Sequence, residues 1–239
     1  MAQDDETALL IEMLTNPRTK PAQKAQAARL LGQSGAPEAI PALIGVVEDT
    51  TDPFKLQVVT AALGALPRFG AAAVPYYTAV LASDDTMRRP YMPRLLVETG
   101  DPSVAGLLLD CLRDRQPDVV INAITALGSL KTSAAYDALL EILRDEGQPA
   151  AVRGIAASAL GATGDPRGYE PLAALLLSGD RDLLGGAVDG IAELGDTRAA
   201  GPLEALLAHG GLDVALERGV RLAVISLRAR QSERARGLR

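Results

Sequence analysis

Apolar residues along this chain recur at steps of three and four, which is the spacing of one face of an α-helix. One such series is Val152, Ile155, Ala156, Ala159 and Leu160. The sequence lacks alternating apolar and polar runs joined by Asn-Gly turns, the pattern that indicates β-hairpins. The hydrophobic pattern therefore predicts an all-α protein.

The helical pattern is interrupted at nearly regular intervals by similar short segments. Residues 159–165 align with residues 190–196, and a Pro-Leu pair follows each segment, beginning at Pro171 and at Pro202. Taking this proline or its equivalent as an anchor gives positions 41, 75, 107, 138, 171 and 202. The interval of about 31 to 34 residues is typical of proteins built from repeated helical pairs.

The segment Gly164-Asp165-Pro166 shows how one helix ends and the next begins. Gly164 can adopt the left-handed conformation that terminates a helix. Asp165 can accept hydrogen bonds from the free N–H groups of the next helix, and Pro166 suits its first turn. The anchor prolines fall further inside the first helix of each pair, where we expect them to kink it.

These signals divide the chain into about seven helix pairs. Their predicted bounds are about 5–32, 37–65, 71–99, 102–130, 134–162, 166–194 and 197–230. A single pair cannot bury its apolar face, so neighbouring pairs must stack to form a core. We therefore expect residues 1–239 to form one domain, a right-handed α-solenoid.

Composition limits both the core and the ligands. Only 3% of the residues are aromatic and none is Trp, so the core must consist of Leu, Ala, Val and Ile in closely packed helices. The net charge of -6 and the acidic pI of about 4.9 argue against a nucleic-acid partner. The acidic start of the chain and the lack of an apolar run of about 20 residues predict a cytoplasmic protein with no membrane segment.

The residues that usually carry catalysis are scarce. His209 is the only histidine and is expected at an exposed helix end, and Cys111 is the only cysteine and falls at a core position. A catalytic triad, a thiolate metal site and an internal disulfide therefore lack their usual parts. We expect a non-enzymatic protein without metal or cofactor.

The repeat resembles the HEAT-like repeats of the phycobilin-lyase type. Their signature Val-Arg…Ala-Leu-Gly…Gly-Asp…Pro-Leu is carried best by residues 152–165 together with Pro171-Leu172. The resemblance extends over nearly the whole chain and implies that the second helices of the pairs line a concave, ligand-binding face. Such repeats serve many unrelated functions, so the resemblance specifies the fold more closely than the activity.

Two departures from the repeat suggest a partner site. Five of the seven aromatic residues fall in the second and third repeats, beside the arginine-rich and proline-rich segment 87–94, and Tyr and Arg are enriched at binding hot spots. The candidate residues in this region are Tyr76, Tyr77, Arg88, Arg89, Tyr91 and Arg94. The competing interpretation is that the rings fill gaps around proline kinks while the arginines are solvated.

The second departure concerns the repeat position that Arg153 occupies. The equivalent residues are Lys24, Leu56, Arg89, Val120, Leu184 and Glu217. If this position faces the concave surface, the groove is of mixed character and suits a protein better than a phosphate backbone. Val120 and Arg153 are therefore added to the candidate residues, although the position could equally serve packing between helices.

The leading functional hypothesis is a non-catalytic adaptor or assembly scaffold that binds another protein or a peptide, as a monomer or within a hetero-complex. The alternative, implied only by the resemblance, is a bilin lyase subunit or chromophore chaperone. In it, Tyr76, Tyr77, Tyr91 and the arginines would hold a tetrapyrrole and its propionates. A third class, DNA-repair glycosylase, is disfavoured by the acidic pI and the absence of Trp.

Overall fold

The computed structural model describes residues 2–47, 53–178 and 180–237, and all regular structure among them is helical. The α-helices in chain order are α1 (Ala2–Thr15), α2 (Pro21–Ser34), α3 (Ile40–Gly45), α4 (Pro53–Ala65), α5 (Val74–Leu81), α6 (Met92–Glu98), α7 (Val104–Cys111), α8 (Pro117–Leu130), α9 (Ser133–Arg144), α10 (Ala150–Ala162), α11 (Tyr169–Ser178), α12 (Arg181–Leu194), α13 (Ala200–His209) and α14 (Val214–Ala235). The helices alternate as first and second members of hairpins, which confirms the predicted all-α, HEAT-like fold class.

The chain divides into two compact units, residues 1–122 and residues 123–239. In the first unit, α2 packs against α4 through small side chains. A Cβ atom added at Gly32 would lie 2.6 Å from the Cβ of Ala65, so only glycine fits there without a shift. Leu14, Leu31 and Leu43 are fully buried in this unit. The organisation of residues 1–239 as a single domain stays a prediction.

In the second unit, α10 and α12 approach each other more closely still. A Cβ added at Gly186 would overlap the backbone of Gly154, and one added at Gly161 would overlap the backbone of Gly190. Such an approach puts backbone against backbone, and any larger residue at the contact would force the helices apart. The small residues of the repeat are therefore required by this packing.

The junction predicted at Gly164 and Asp165 is confirmed. Gly164 has a φ of 71°, the left-handed conformation that glycine adopts without steric cost. The Asp165 side chain accepts a hydrogen bond from the backbone N–H of Arg167 at 2.9 Å. It thereby caps a 3-10 turn, Pro166–Gly168, that precedes α11.

An arginine at each of two such junctions lies over one of the two tyrosines of the second unit. The guanidinium of Arg167 lies 4.0 Å from the ring centroid of Tyr136, and that of Arg198 lies 3.8 Å from the ring of Tyr169. Each arginine also bonds the capping carboxylate of its own junction. Cation–π contact and ion pairing thus join successive hairpins by one repeated device.

The prolines at the anchor positions do not kink the first helices, and the prediction of kinks is wrong. Pro41 and Pro75 lie in the first turn of α3 and α5, where a backbone N–H would have no intrahelical acceptor. A 3-10 turn, such as Pro37–Ala39, precedes them. The α-helices therefore begin one or two residues before the anchor prolines and are not broken by them.

Among the described residues, one helical stretch, Lys55–Leu81, is long and apolar enough to cross a membrane by length and composition. This differs from the expectation that no apolar run approaches that length. The stretch is interrupted at Gly70, whose φ of 53° and ψ of -139° are not helical. It supplies Val59, Leu66 and Tyr77 to the core of the first unit.

The close approach of α10 and α12 gives a matched test. Gly186→Ala places a methyl group against the Gly154 carbonyl and should destabilise the protein by roughly 1–3 kcal/mol or more. Gly185→Ala, in the same helix with open space around it, should stabilise by up to about 1 kcal/mol because alanine favours helix. Urea unfolding of both variants measures the difference. Equal midpoints would contradict the packing described above.

Candidate functional site

Tyr77 lies in the core and not on a surface. Its side chain is 0% exposed, and its hydroxyl has no hydrogen-bond partner among the described residues. Burial, with a smaller contribution from Glu98, raises the pKa of Tyr77 well above its usual value. The ring lies in the core of the first unit and is not available to a partner. The prediction that Tyr77 contacts a partner is therefore wrong.

Arg89 is also buried, with 3% of its surface exposed. It forms an ion pair with Asp114, while its Nε and Nη1 atoms have no acceptor among the described residues. Removing one member of such a pair leaves an uncompensated buried charge, so the pair fixes how its neighbours pack. Arg89 is thus a packing residue, and the prediction that it contacts a partner is also wrong.

The guanidinium of Arg88 donates hydrogen bonds to backbone carbonyls of the same chain. Its Nε donates to the carbonyl oxygen of Ile44 at 3.0 Å and its Nη2 donates to that of Gly45 at 2.7 Å, which caps the C-terminal end of α3. Arg88 and Tyr76 lie together along a shallow depression of about 340 Å³. The structure therefore brings these two predicted residues together, with the guanidinium of Arg88 already occupied.

Arg153 has the same role at α9, because its Nε donates to the carbonyl oxygen of Leu143 at 3.0 Å. Arg94 is exposed and pairs with Glu98 at 2.7 Å along one face of α6. Tyr91 and Val120 are half-buried. Partner binding by the candidates that keep exposed area stays a prediction.

These positions weaken the tetrapyrrole hypothesis, because Tyr77 and Arg89 cannot reach a ligand from the core. Cys111 is buried as expected, and burial, followed by the nearby Asp114 and Asp110, raises the pKa of its thiol to about 11. A thiol with such a pKa is protonated at neutral pH and a poor nucleophile. Across residues 2–47, 53–178 and 180–237, no three His, Cys, Asp or Glu side chains come together as a metal site.

The second unit also contains an apolar groove that the sequence did not predict. It has a volume of about 510 Å³ and lies between the ends of α11 and α13 and the starts of α12 and α14. We call it the α13 groove. Its lining residues are Leu176, Leu177, Leu184, Pro202, Ala205, Leu206, His209, Gly210, Gly211, Leu212, Asp213 and Leu216.

Beside the groove, the last hairpin differs from the hairpin α9–α10. In the hairpin α9–α10, Asp145 accepts a hydrogen bond from the N–H of Gly147 at 2.9 Å, and Arg153 caps α9. At the equivalent positions of the last hairpin stand His209 and Glu217. Neither makes the corresponding bond among the described residues, and the carboxylate of Glu217 bonds Arg221.

Two consecutive glycines shape this turn. Gly210 and Gly211 have φ angles of 72° and 78°, in the region that other residues rarely adopt. Of the leucines that line the groove, Leu177 is 76% exposed, whereas Leu176 and Leu184 are buried, with 5% and 6% of their surfaces exposed. The Gly-Gly pair and the run of leucines at two successive helix ends are the sequence signals that could have located the groove.

Protein-family models match this chain in three places. A model of HEAT repeats matches residues 78–150, and a model of the PBS lyase HEAT-like repeat matches residues 23–49 and 152–178. Together these ranges cover more than half of the chain. No curated protein sequence matches it significantly.

Solved structures that resemble the chain are also helical. Over 94% of this chain and 82% of the other, it is 18% identical to Escherichia coli YibA, with a TM-score of 0.53. The complex of CpcE and CpcF of phycocyanin lyase from Nostoc sp. PCC7120 shares 23% identity over 92% of this chain and 94% of that chain, with a TM-score of 0.46. An engineered protein shares 18% identity over 94% and 97%, with a TM-score of 0.40. At these identities the likeness concerns the fold alone.

The burial of Tyr77 predicts opposite results for two substitutions. Tyr77→Ala should destabilise the protein by about 3–5 kcal/mol, because it leaves a large cavity. Tyr77→Phe should be neutral or slightly stabilising, because it removes only a hydroxyl that has no partner in the core. Thermal unfolding of both variants checks this. A large loss of stability in Tyr77→Phe would show that the hydroxyl is hydrogen-bonded in solution.

The raised pKa of Cys111 predicts slow chemical modification. In the native protein at pH 8, a thiol reagent should react far more slowly with Cys111 than in urea, because burial disfavours the thiolate. The native rate should rise as the pH approaches 11, provided that the protein remains folded. Stopped-flow labelling measures both rates, and equally fast labelling with and without urea would contradict the burial of this thiol.

Proposed function

Because the chain belongs to the HEAT-like repeat proteins, we propose that it is a non-catalytic protein-binding scaffold whose α13 groove receives apolar side chains of a partner protein or peptide. The observation that carries this proposal is a groove lined by leucines, with Leu177 76% exposed at its rim. A groove of about 510 Å³ is within the size range of ligand pockets, which are mostly apolar with a few polar groups.

The polar groups of the groove favour binding over catalysis. Asp213 accepts a hydrogen bond from the N–H of Leu216 at 2.8 Å, so its carboxylate serves as the cap of α14. His209 is exposed at the end of α13. Among the described lining residues, neither a nucleophile nor a second titratable group pairs with this histidine, which supports a role in recognition.

The exposed leucine at the rim of the groove favours a macromolecular partner. Leu177 points into solvent beside the groove with 76% of its surface exposed, and such a residue gains most when a partner covers it. Apolar grooves of this kind bind a helix or a peptide through a few anchoring side chains. The cytoplasmic location and the assembly state, monomer or hetero-complex, stay predictions.

Two lysine substitutions test this function. Leu177→Lys puts a charge at the rim of the groove, and Leu222→Lys puts the same charge at an exposed leucine of α14 outside the groove. Because both side chains are exposed, neither substitution should reduce stability by more than about 0.5 kcal/mol. Partners captured by the tagged proteins from the native lysate are then compared by quantitative mass spectrometry.

We expect a set of proteins that the wild type and Leu222→Lys retain equally and that Leu177→Lys loses. Partners retained by all three proteins would place binding elsewhere on the chain. Failure of the wild type to retain any protein above the level of an unrelated helical control would contradict the scaffold function itself.

A further inference from the structure

The C-terminal end of α13 differs from the corresponding ends of α3 and α9. Backbone carbonyls in the last turn of a helix have no partner within the helix and are satisfied by side chains, water or a ligand. At α3 the donor is Arg88, which reaches two carbonyl oxygens at 3.0 and 2.7 Å. At α9 it is Arg153, which reaches one at 3.0 Å. At α5 and α11 a serine hydroxyl donates to one carbonyl of the last turn.

No such arginine completes α13. The residue at the repeat position of Arg153 is Glu217, whose carboxylate pairs with Arg221 in the next turn of α14. Gly210, which follows α13, makes no capping hydrogen bond through its backbone N–H. Within the described part of the chain, no side chain donates to the carbonyls of the last turn of α13, 206–209.

These carbonyls stand beside the α13 groove. The end of a helix carries a partial negative charge from the aligned peptide dipoles, which favours a cation there. The carboxylate of Asp213 lies on the same rim, where it caps the start of α14 and offsets the partial positive charge of that helix end. The groove therefore combines an apolar floor with an unfilled site for a cationic hydrogen-bond donor.

We propose that the α13 groove binds a partner segment in which an arginine lies next to apolar anchor residues, and that this arginine caps α13 as Arg153 caps α9. The apolar residues enter the groove between Leu177 and Leu212, while the guanidinium donates to the carbonyl oxygens of the last turn. Arginine suits this site better than lysine because its planar group can bond two carbonyls at once, as Arg88 does. The inference rests on the proposed function of the groove.

Substitution at Glu217 separates the arginine from the rest of the interaction. Glu217→Arg restores an arginine at the position from which Arg153 caps α9, so the new side chain should occupy the carbonyls and exclude the partner's arginine. Glu217→Gln removes the carboxylate without supplying a cap and serves as the matched control. The pair between Glu217 and Arg221 is exposed, so its loss should change little by itself.

Random-sequence peptides displayed on phage provide a defined probe. Selection on the full wild-type chain should enrich peptides with an arginine beside leucine, isoleucine or phenylalanine, and Leu177→Lys should not enrich them. For a synthetic copy of an enriched peptide, replacing its arginine by alanine should weaken binding to the wild type and to Glu217→Gln by about tenfold, as expected for a charge-assisted hydrogen bond. The same replacement should change binding to Glu217→Arg less than about twofold.

The outcomes distinguish the two proposals. Enrichment of apolar peptides without arginine, or an equal effect of the arginine replacement on Glu217→Arg, would overturn the capping inference and leave the groove as a binding site. Enrichment of acidic peptides would overturn it as well. If selection yields no peptide that depends on Leu177, the groove is not a binding site and the proposed function fails with the inference.

Discussion

The contact between neighbouring second helices is the constraint on which the rest of the structure depends. At Gly161 and Gly186 a single added carbon would overlap the backbone of the facing helix. Helices that approach so closely gain extensive dispersion contact, but only glycine and alanine can stand at the contact. This explains a core with almost no aromatic residues and a repeat whose most regular letters are Gly, Ala and Leu.

The second constraint is the need for hydrogen-bond donors at the helix ends, and arginine side chains supply several of them. Every helix end exposes carbonyl oxygens, and short helices have many ends for their length. Arg88 and Arg153 satisfy such ends directly, while Arg167 and Arg198 bind the junction carboxylates and cover tyrosine rings. Many arginines of this acidic chain are therefore structural, which is why an arginine-rich segment is a poor guide to its binding surface.

The candidate binding surface lies at a helix end whose carbonyl oxygens receive no hydrogen bond from a described side chain. At the last hairpin, Glu217 stands where Arg153 caps α9, and Gly210 and Gly211 turn the chain with positive φ angles. Beside this turn lies a groove lined by leucines, next to a helix end that no described side chain caps. The hairpin keeps its fold, because α13 and α14 pack through buried residues such as Leu203 and Leu227.

The sequence by itself determined the features that depend on local chemistry. The three- and four-residue spacing predicted the helices, Gly164 and Asp165 predicted a junction, and repeat position placed Cys111 in the core and His209 at an exposed helix end. Each of these follows from a few neighbouring residues, whose conformational preferences are readable without the rest of the chain. In the segment 87–94, by contrast, the sequence did not determine which arginine and tyrosine side chains are exposed.

Only the tertiary structure decided which side chains of that segment are accessible. Arg88 reaches the end of α3, whereas the adjacent Arg89 is buried against Asp114. Tyr76 and Tyr77 are separated in the same way, because consecutive helical residues point about 100° apart. Which of the two faces the core depends on residues far away in the sequence. Identical residue types in adjacent positions therefore acquire different roles from packing, which composition and spacing alone do not specify.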